Sequence, residues 1–208
     1  MKTVQLLMMN KKTSVIENFN EYTEVDPRGE ITVTSNTISW SNAYSVDYRV
    51  YKDFGTDFFD GDFEHKMELW FNAGSDTWEP NYQWALSNNA DSFANFSTDD
   101  MYAGLRSYGG ALNGAYRFQF GVKGRSDKFL TVSKNTVYYV TIKRDESIGT
   151  YGRLTVSLYS DSARTNLVVS DYIDLSTKKN FRYYYPLLSE NAGTSYYQSG
   201  YTKNVELG

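Results

Sequence analysis

Apolar and polar residues alternate along most of this chain with a period of two. In Tyr138–Arg144, Tyr138, Val140 and Ile142 fall on one side, and Tyr139, Thr141 and Lys143 on the other. Arg153–Tyr159 repeats the arrangement, with Leu154, Val156 and Leu158 inward. Tyr116–Val122 does so again, with Tyr116, Phe118, Phe120 and Val122 opposite Arg117 and Gln119. Side chains of a strand point alternately to its two faces, so this period predicts half-buried β-strands. Strands are predicted over Ile31–Thr34, Val46–Lys52, Asp62–Asn72, Tyr82–Ser87, Tyr116–Lys123, Val137–Arg144, Arg153–Ser160, Leu167–Leu175, Phe181–Leu188 and Tyr201–Leu207. Turn signals separate them, among them Asp26-Pro27-Arg28-Gly29, Asp60-Gly61 and Asn113-Gly114. No long amphipathic helix is readable. Asn88–Asn113 reads as long loops around one or two short strands, and Val4–Met9 as a strand of its own. Many short strands at this spacing predict an all-β sandwich whose core is the first set of faces. No linker or repeat divides the chain, which predicts one domain over residues 1–208, with residues 1–18 as an N-terminal extension or edge strand.

Composition narrows the function classes. At 208 residues the chain can bury about 70% of its unfolded surface, so it needs neither disulfide nor metal to close a core. It has no cysteine, which removes disulfides, thiolate metal sites and cysteine nucleophiles. A net charge of −4 argues against a protein that tracks phosphates, so no nucleic-acid partner is expected. The N-terminal apolar run is too short for a signal core and no segment reaches the ~18 apolar residues of a membrane span. The chain is therefore expected to be made in the cytoplasm without a signal peptide and without membrane insertion, and to reach the exterior by lysis. Aromatic content is high at 17%, including 19 tyrosines. Most of these rings suit strand surfaces, and some suit a stacking platform for a ligand.

The second half resembles the concanavalin A-like lectin/glucanase superfamily, in its laminin-G-like branch, of the kind found in phage and microbial proteins. The resemblance is carried by Tyr138-Tyr139-Val140-Thr141-Ile142-Lys143-Arg144, a glycine-containing turn, and Leu154-Thr155-Val156-Ser157-Leu158-Tyr159-Ser160-Asp161. Gly200–Gly208 is similar to the closing strand of such domains, and Gly61–His65 to a strand opening seen in related ones. The likeness spans about residues 19–208. It implies a two-sheet antiparallel jelly-roll sandwich, with sugar binding often, hydrolysis sometimes and structural roles elsewhere.

Glucanases of that superfamily carry Glu-x-Asp-x-Glu on one strand, and Glu64-His65-Lys66-Met67-Glu68 is similar except that Lys66 replaces the central acid. A cation there favours ionised glutamates and works against keeping one protonated as the acid. No catalytic residue is therefore assigned. His65, the only histidine, lies with Phe63, Met67, Leu69 and Phe71 on a core-type face. Asp26, Asp60, Asp62 and Asp174 are acidic turn or strand-end residues that read as solvated carboxylates, so no metal and no cofactor is expected. Glycans are held by rings that stack on the sugar and by polar groups that bond its hydroxyls. Trp70, Trp84 and Tyr184 supply the rings, and Glu68, Arg117 and Gln119 the polar groups, of a shallow site expected on the outer face of the concave sheet. The expected role is a non-catalytic carbohydrate-binding or adhesion module associated with a virion. The alternatives are a structural virion protein that binds other virion proteins or a second copy of itself, and a glycoside hydrolase.

Overall fold

The structure is a computed structural model, and it describes residues 15–43, 47–73, 81–92, 102–108, 116–189 and 198–208. The expected strand over Val4–Met9 lies outside the described residues. The described residues form fifteen strands: β1 (Val15–Ile16), β2 (Thr23–Val25), β3 (Ile31–Val33), β4 (Thr37–Ala43), β5 (Arg49–Asp53), β6 (Phe63–Ala73), β7 (Asn81–Ser87), β8 (Ala103–Tyr108), β9 (Tyr116–Val122), β10 (Lys128–Val132), β11 (Tyr138–Asp145), β12 (Arg153–Tyr159), β13 (Leu167–Asp174), β14 (Tyr183–Ser189) and β15 (Gln198–Leu207). Among the described residues the only helical turn is a 3₁₀ turn at Phe19–Glu21, capped by the Asn18 side chain. β1, β2, β4 and β10 were not among the predicted strands; β1 and β2 are only two and three residues long, whereas Ile38 and Trp40 of β4 and Leu130 and Val132 of β10 do alternate inward.

The strands form two antiparallel sheets. One runs β13-β12-β11-β6-β15-β4-β3, with β1 added beside β15; the other runs β10-β9-β8-β7-β14-β5-β2. This is the all-β sandwich the alternation predicts. Between the sheets, Met67, Leu69, Phe71, Val140, Ile142, Val156 and Leu158 meet Trp84, Leu86, Leu105, Phe118, Phe120, Val122 and Tyr184 in one buried cluster. Each such side chain contributes roughly 1.5–3 kcal/mol on burial.

A few polar groups tie the sheets together. β7 carries a bulge between Tyr82 and Trp84, so Gln83 and Trp84 both turn inward. Gln83 Nε2 then donates to the backbone carbonyls of Trp70 and Tyr201, at 3.2 and 3.1 Å. Trp84 Nε1 donates to Nδ1 of His65 at 3.0 Å, and the His65 ring stacks on Phe63 at 4.2 Å. His65 is thus a satisfied core residue that accepts at Nδ1, as its place in the alternation predicts. Arg144 continues the inward face of β11 and is fully buried. Its Nη1 donates to the carbonyls of Phe59 and Lys179, and its Nη2 to Glu146. Those acceptors offset the cost of burying a guanidinium.

Candidate functional site

The outer face of a sheet normally remains half wet. On the eight-stranded sheet it does: β12 alternates strictly between buried and half-buried positions. On the seven-stranded sheet every residue of β7 is buried, including those that point away from the core. That outer face is therefore recessed. It holds a second apolar cluster of Tyr82, Ala85, Tyr185 and Leu188, against which Tyr51, Tyr102 and Tyr183 pack.

Strand register places the polar groups of this recess in a row. Gln119 lies opposite Arg106, Arg106 opposite Tyr82, and Tyr82 opposite Leu188. Arg106 Nε donates to Gln119 Oε1 at 3.0 Å, and its guanidinium lies 5.5 Å from the centre of the Tyr82 ring. Gln119 Nε2 in turn donates to the Asp127 carboxylate. The adjacent row is made of small residues: Gly121 opposite Gly104, and Gly104 opposite Ala85. Both glycines are needed for space. A Cβ on Gly104 would lie 2.4 Å from Cε1 of Tyr82, and one on Gly121 would lie 2.6 Å from Oδ1 of Asp127. Beyond Ala85 the row ends in tyrosines, where Tyr185 stacks on Tyr51 at 5.5 Å and Tyr183 meets Tyr51 edge-on. Tyr185 donates to the Asn89 carbonyl and accepts from the Asp91 amide. Burial pushes its phenol well above the usual tyrosine range, so it stays protonated. Tyr82, Tyr185 and Gln119 are themselves nearly or fully buried, and Tyr185 and Gln119 are already bonded, so the groups of this face that a hydroxyl-rich ring could meet are the half-buried Arg106 guanidinium and the Tyr51 and Tyr183 rings.

The six residues singled out in the sequence are dispersed by the fold. Arg117 and Gln119 are on the recessed face; Arg117 lies over the Phe129 ring at 4.8 Å, and Gln119 is 7% exposed. Glu68 and Trp70 are on β6, which belongs to the other sheet, so they face the opposite side of the molecule. The expectation of one surface shared by β6 and β9 is therefore corrected, because alternation fixes in and out but not which sheet a strand joins. Trp84 and Tyr184 are fully buried core residues and are corrected as ligand contacts. For Trp84 the cause is the β7 bulge. For Tyr184 it is its inward place between Tyr183 and Tyr185; burial raises its pKa well above the usual range, and its hydroxyl has no partner among the described residues. Tyr51 and Arg106 were not singled out. A legible signal existed in Gly104-Leu105-Arg106 and Gln119-Phe120-Gly121, where a glycine sits one same-face step from a polar residue on each of two strands.

The glucanase-like strand lies on the outer face of the eight-stranded sheet. Lys66 bridges Glu64 at 2.8 Å, and Glu68 accepts from the Tyr201 hydroxyl at 2.7 Å. The acidic residues of the turns and strand ends are separately engaged: Asp26 accepts from the Ile31 amide, Asp62 from the Glu146 amide, Asp60 pairs with Lys178 and Asp174 with Arg153. Among the described residues no group of three His, Cys, Asp or Glu is placed to hold a metal ion. No helix among them is long and apolar enough to cross a membrane.

No protein-family model matches the chain, and no curated protein matches it. Solved structures do. A legume lectin-like domain from Entamoeba histolytica is 13% identical, with a TM-score of 0.64, covering 94% of this chain and 95% of that one. Lectin II from Ulex europaeus is 12% identical, with a TM-score of 0.58 over 93% of this chain and 94% of that one. An alginate lyase in complex with an alginate trisaccharide is 12% identical, with a TM-score of 0.58 over 93% and 96%. The fold is concanavalin A-like, as the sequence resemblance implies.

Proposed function

We propose that this chain is a carbohydrate-binding module that holds a glycan on the recessed face of the seven-stranded sheet and does not turn it over. The observation that carries the proposal is the Gln119–Arg106–Tyr82 row, prearranged by Asp127 and Gly104 beside the Tyr51–Tyr185 stack. Prearrangement lowers the ordering cost of binding. The lectin and alginate lyase neighbours support a saccharide as the ligand class. The absence of turnover is supported by the glucanase-like glutamates, which lie on the other sheet with Lys66 between them. On the recessed face Asp127 is committed to Gln119.

The test is a glycan array followed by calorimetry, with galactose, alginate tetrasaccharide and a mannose-terminated N-glycan core as soluble probes. Binding in the micromolar-to-millimolar range is expected, or about −8 to −4 kcal/mol. Arg106→Ala removes a charged donor worth roughly 1.5–3 kcal/mol and is expected to weaken binding about ten- to hundredfold. The probes should be recovered uncleaved after long incubation. Cleaved probe would establish the second reading, catalysis, which the alginate lyase neighbours favour. No binding on the array, or binding indifferent to Arg106→Ala, would overturn the proposed site.

A further inference from the structure

The two residues stranded on the far side of the molecule are part of a second constellation. On the outer face of the eight-stranded sheet Trp70 stacks on Tyr201 at 5.8 Å with an interplanar angle of 22°. The Tyr201 hydroxyl donates to one oxygen of Glu68 at 2.7 Å. Register sets Tyr139 on one side of Glu68 and Lys203 on the other. Burial, and then the Glu68 carboxylate, hold the Tyr201 phenol protonated, so this bond persists across the ordinary pH range. Trp70, Tyr201, Glu68 and Tyr139 are all half-buried, with solvent on one side.

The turn between β12 and β13 is anchored on the same strand, β6, through Arg164. Arg164 stands there in a left-handed conformation, at φ 55°. Its Nη2 reaches the carbonyl of Met67, next to Glu68, at 3.4 Å. The inner side of these strands is filled by Met67, Val140 and Leu158, all fully buried. The Arg164 Nε is buried and has no partner among the described residues. Its Nη1 donates to the Ser162 carbonyl at 3.3 Å, so the guanidinium is held on two backbone carbonyls and forms no ion pair with Glu68 among the described residues.

We infer that this outer face carries a second saccharide site, independent of the recess, in which a pyranose stacks on the Trp70–Tyr201 pair while its hydroxyls bond Glu68. Two sites on opposite faces make the module bivalent, able to bridge two glycan chains or two points on one. Linked sites gain avidity without further contacts when both can be engaged.

The glycan array distinguishes the two faces when it is run with the wild type, an Arg106→Ala/Gln119→Ala double variant, and that double variant with Trp70→Ala added. The expected result is that the double variant keeps a subset of the wild-type signals and that Trp70→Ala removes them. The inference is overturned if the wild type or the double variant gives no signal, or if the residual signal survives Trp70→Ala. Because Trp70→Ala also removes half of a stacked pair, Glu68→Gln is run in parallel. It keeps size and the Tyr201 contact while weakening a charged acceptor, and it should lower the residual signal about tenfold with the melting temperature unchanged. An unchanged signal in Glu68→Gln overturns the assignment of Glu68 and, with it, the site as described.

Discussion

Gly104 is the position at which the shape of the recess can be tested most sharply. Alanine there would bring its Cβ to 2.4 and 2.6 Å from two carbons of the Tyr82 ring, and to an ordinary 3.6 Å from Ala85. The ring must move, and it is nearly buried against Ala85, Tyr185 and Leu188. Overpacking of this kind costs about 1–3 kcal/mol, against which the stiffer unfolded chain returns about 0.4–1 kcal/mol. Gly104→Ala should thus lower stability by up to about 2.6 kcal/mol, or the melting temperature by up to about 10 °C for a domain of this size. The informative experiment is the double-mutant cycle with Tyr82→Ala, read by urea unfolding. Tyr82→Ala alone should cost of order 3 kcal/mol. In its presence Gly104→Ala should change sign and become neutral or stabilising by up to about 1 kcal/mol. Tyr82→Phe keeps the ring and should leave the full penalty in place. Equal destabilisation by Gly104→Ala in the wild-type and Tyr82→Ala backgrounds would refute the placement of the ring over the glycine, and with it the geometry of the Arg106 row.

Three further outcomes are expected. Trp84→Phe leaves the buried Nδ1 of His65 without its donor and opens a void, and should cost about 2–4 kcal/mol by urea unfolding without changing the sheet signal in circular dichroism. Asp53 is held down to about 2 by its bonds to Arg182, and Asp174 is held below the usual carboxylate range by Arg153. Their folded pKa values lie below the unfolded ones, so their contribution is present above about pH 4 and is lost as the pH falls toward about 2. Both pairs are exposed and each effect is small. An Asp53→Asn/Asp174→Asn variant should nevertheless show a measurably shallower fall of melting temperature in that window than the wild type. The melting temperature should be the same in buffer and in excess EDTA, and a steep drop in chelator would reveal a metal bound to the native state.

Much of the core was legible because alternation reports burial directly. Tyr138, Val140, Ile142, Leu154, Val156, Leu158, Phe118 and Phe120 all point inward as predicted. What alternation does not encode is partnership between distant strands. β6 and β9 have equally clear polar faces, yet those faces lie on opposite sides of the sandwich, and only long-range pairing decides this. Bulges are the second blind spot. A period-2 reading puts Tyr82 and Trp84 on one face, while one extra residue in β7 sends Tyr82 to the recess and Trp84 to the core. The register of β14 also shifts, between Tyr184 and Leu187. The residues that make the recess distinctive are neighbours only across strands, so no local pattern in the sequence unites Gln119, Arg106 and Tyr82.

The position of the last strand bears on how the molecule is made. β15 lies between β6 and β4, and β14 between β7 and β5, so the late segments of the chain occupy interior places in both sheets. During synthesis β4, β5, β6 and β7 emerge early with one edge each unpaired, and they remain so until more than a hundred further residues have followed β7. Open edges of this kind are templates for pairing between chains. Closure by sequence-distant strands is also slow. Nascent chains of this protein should therefore depend on chaperones or on dilution, and truncations that remove β15 should accumulate as aggregates rather than as smaller folded domains.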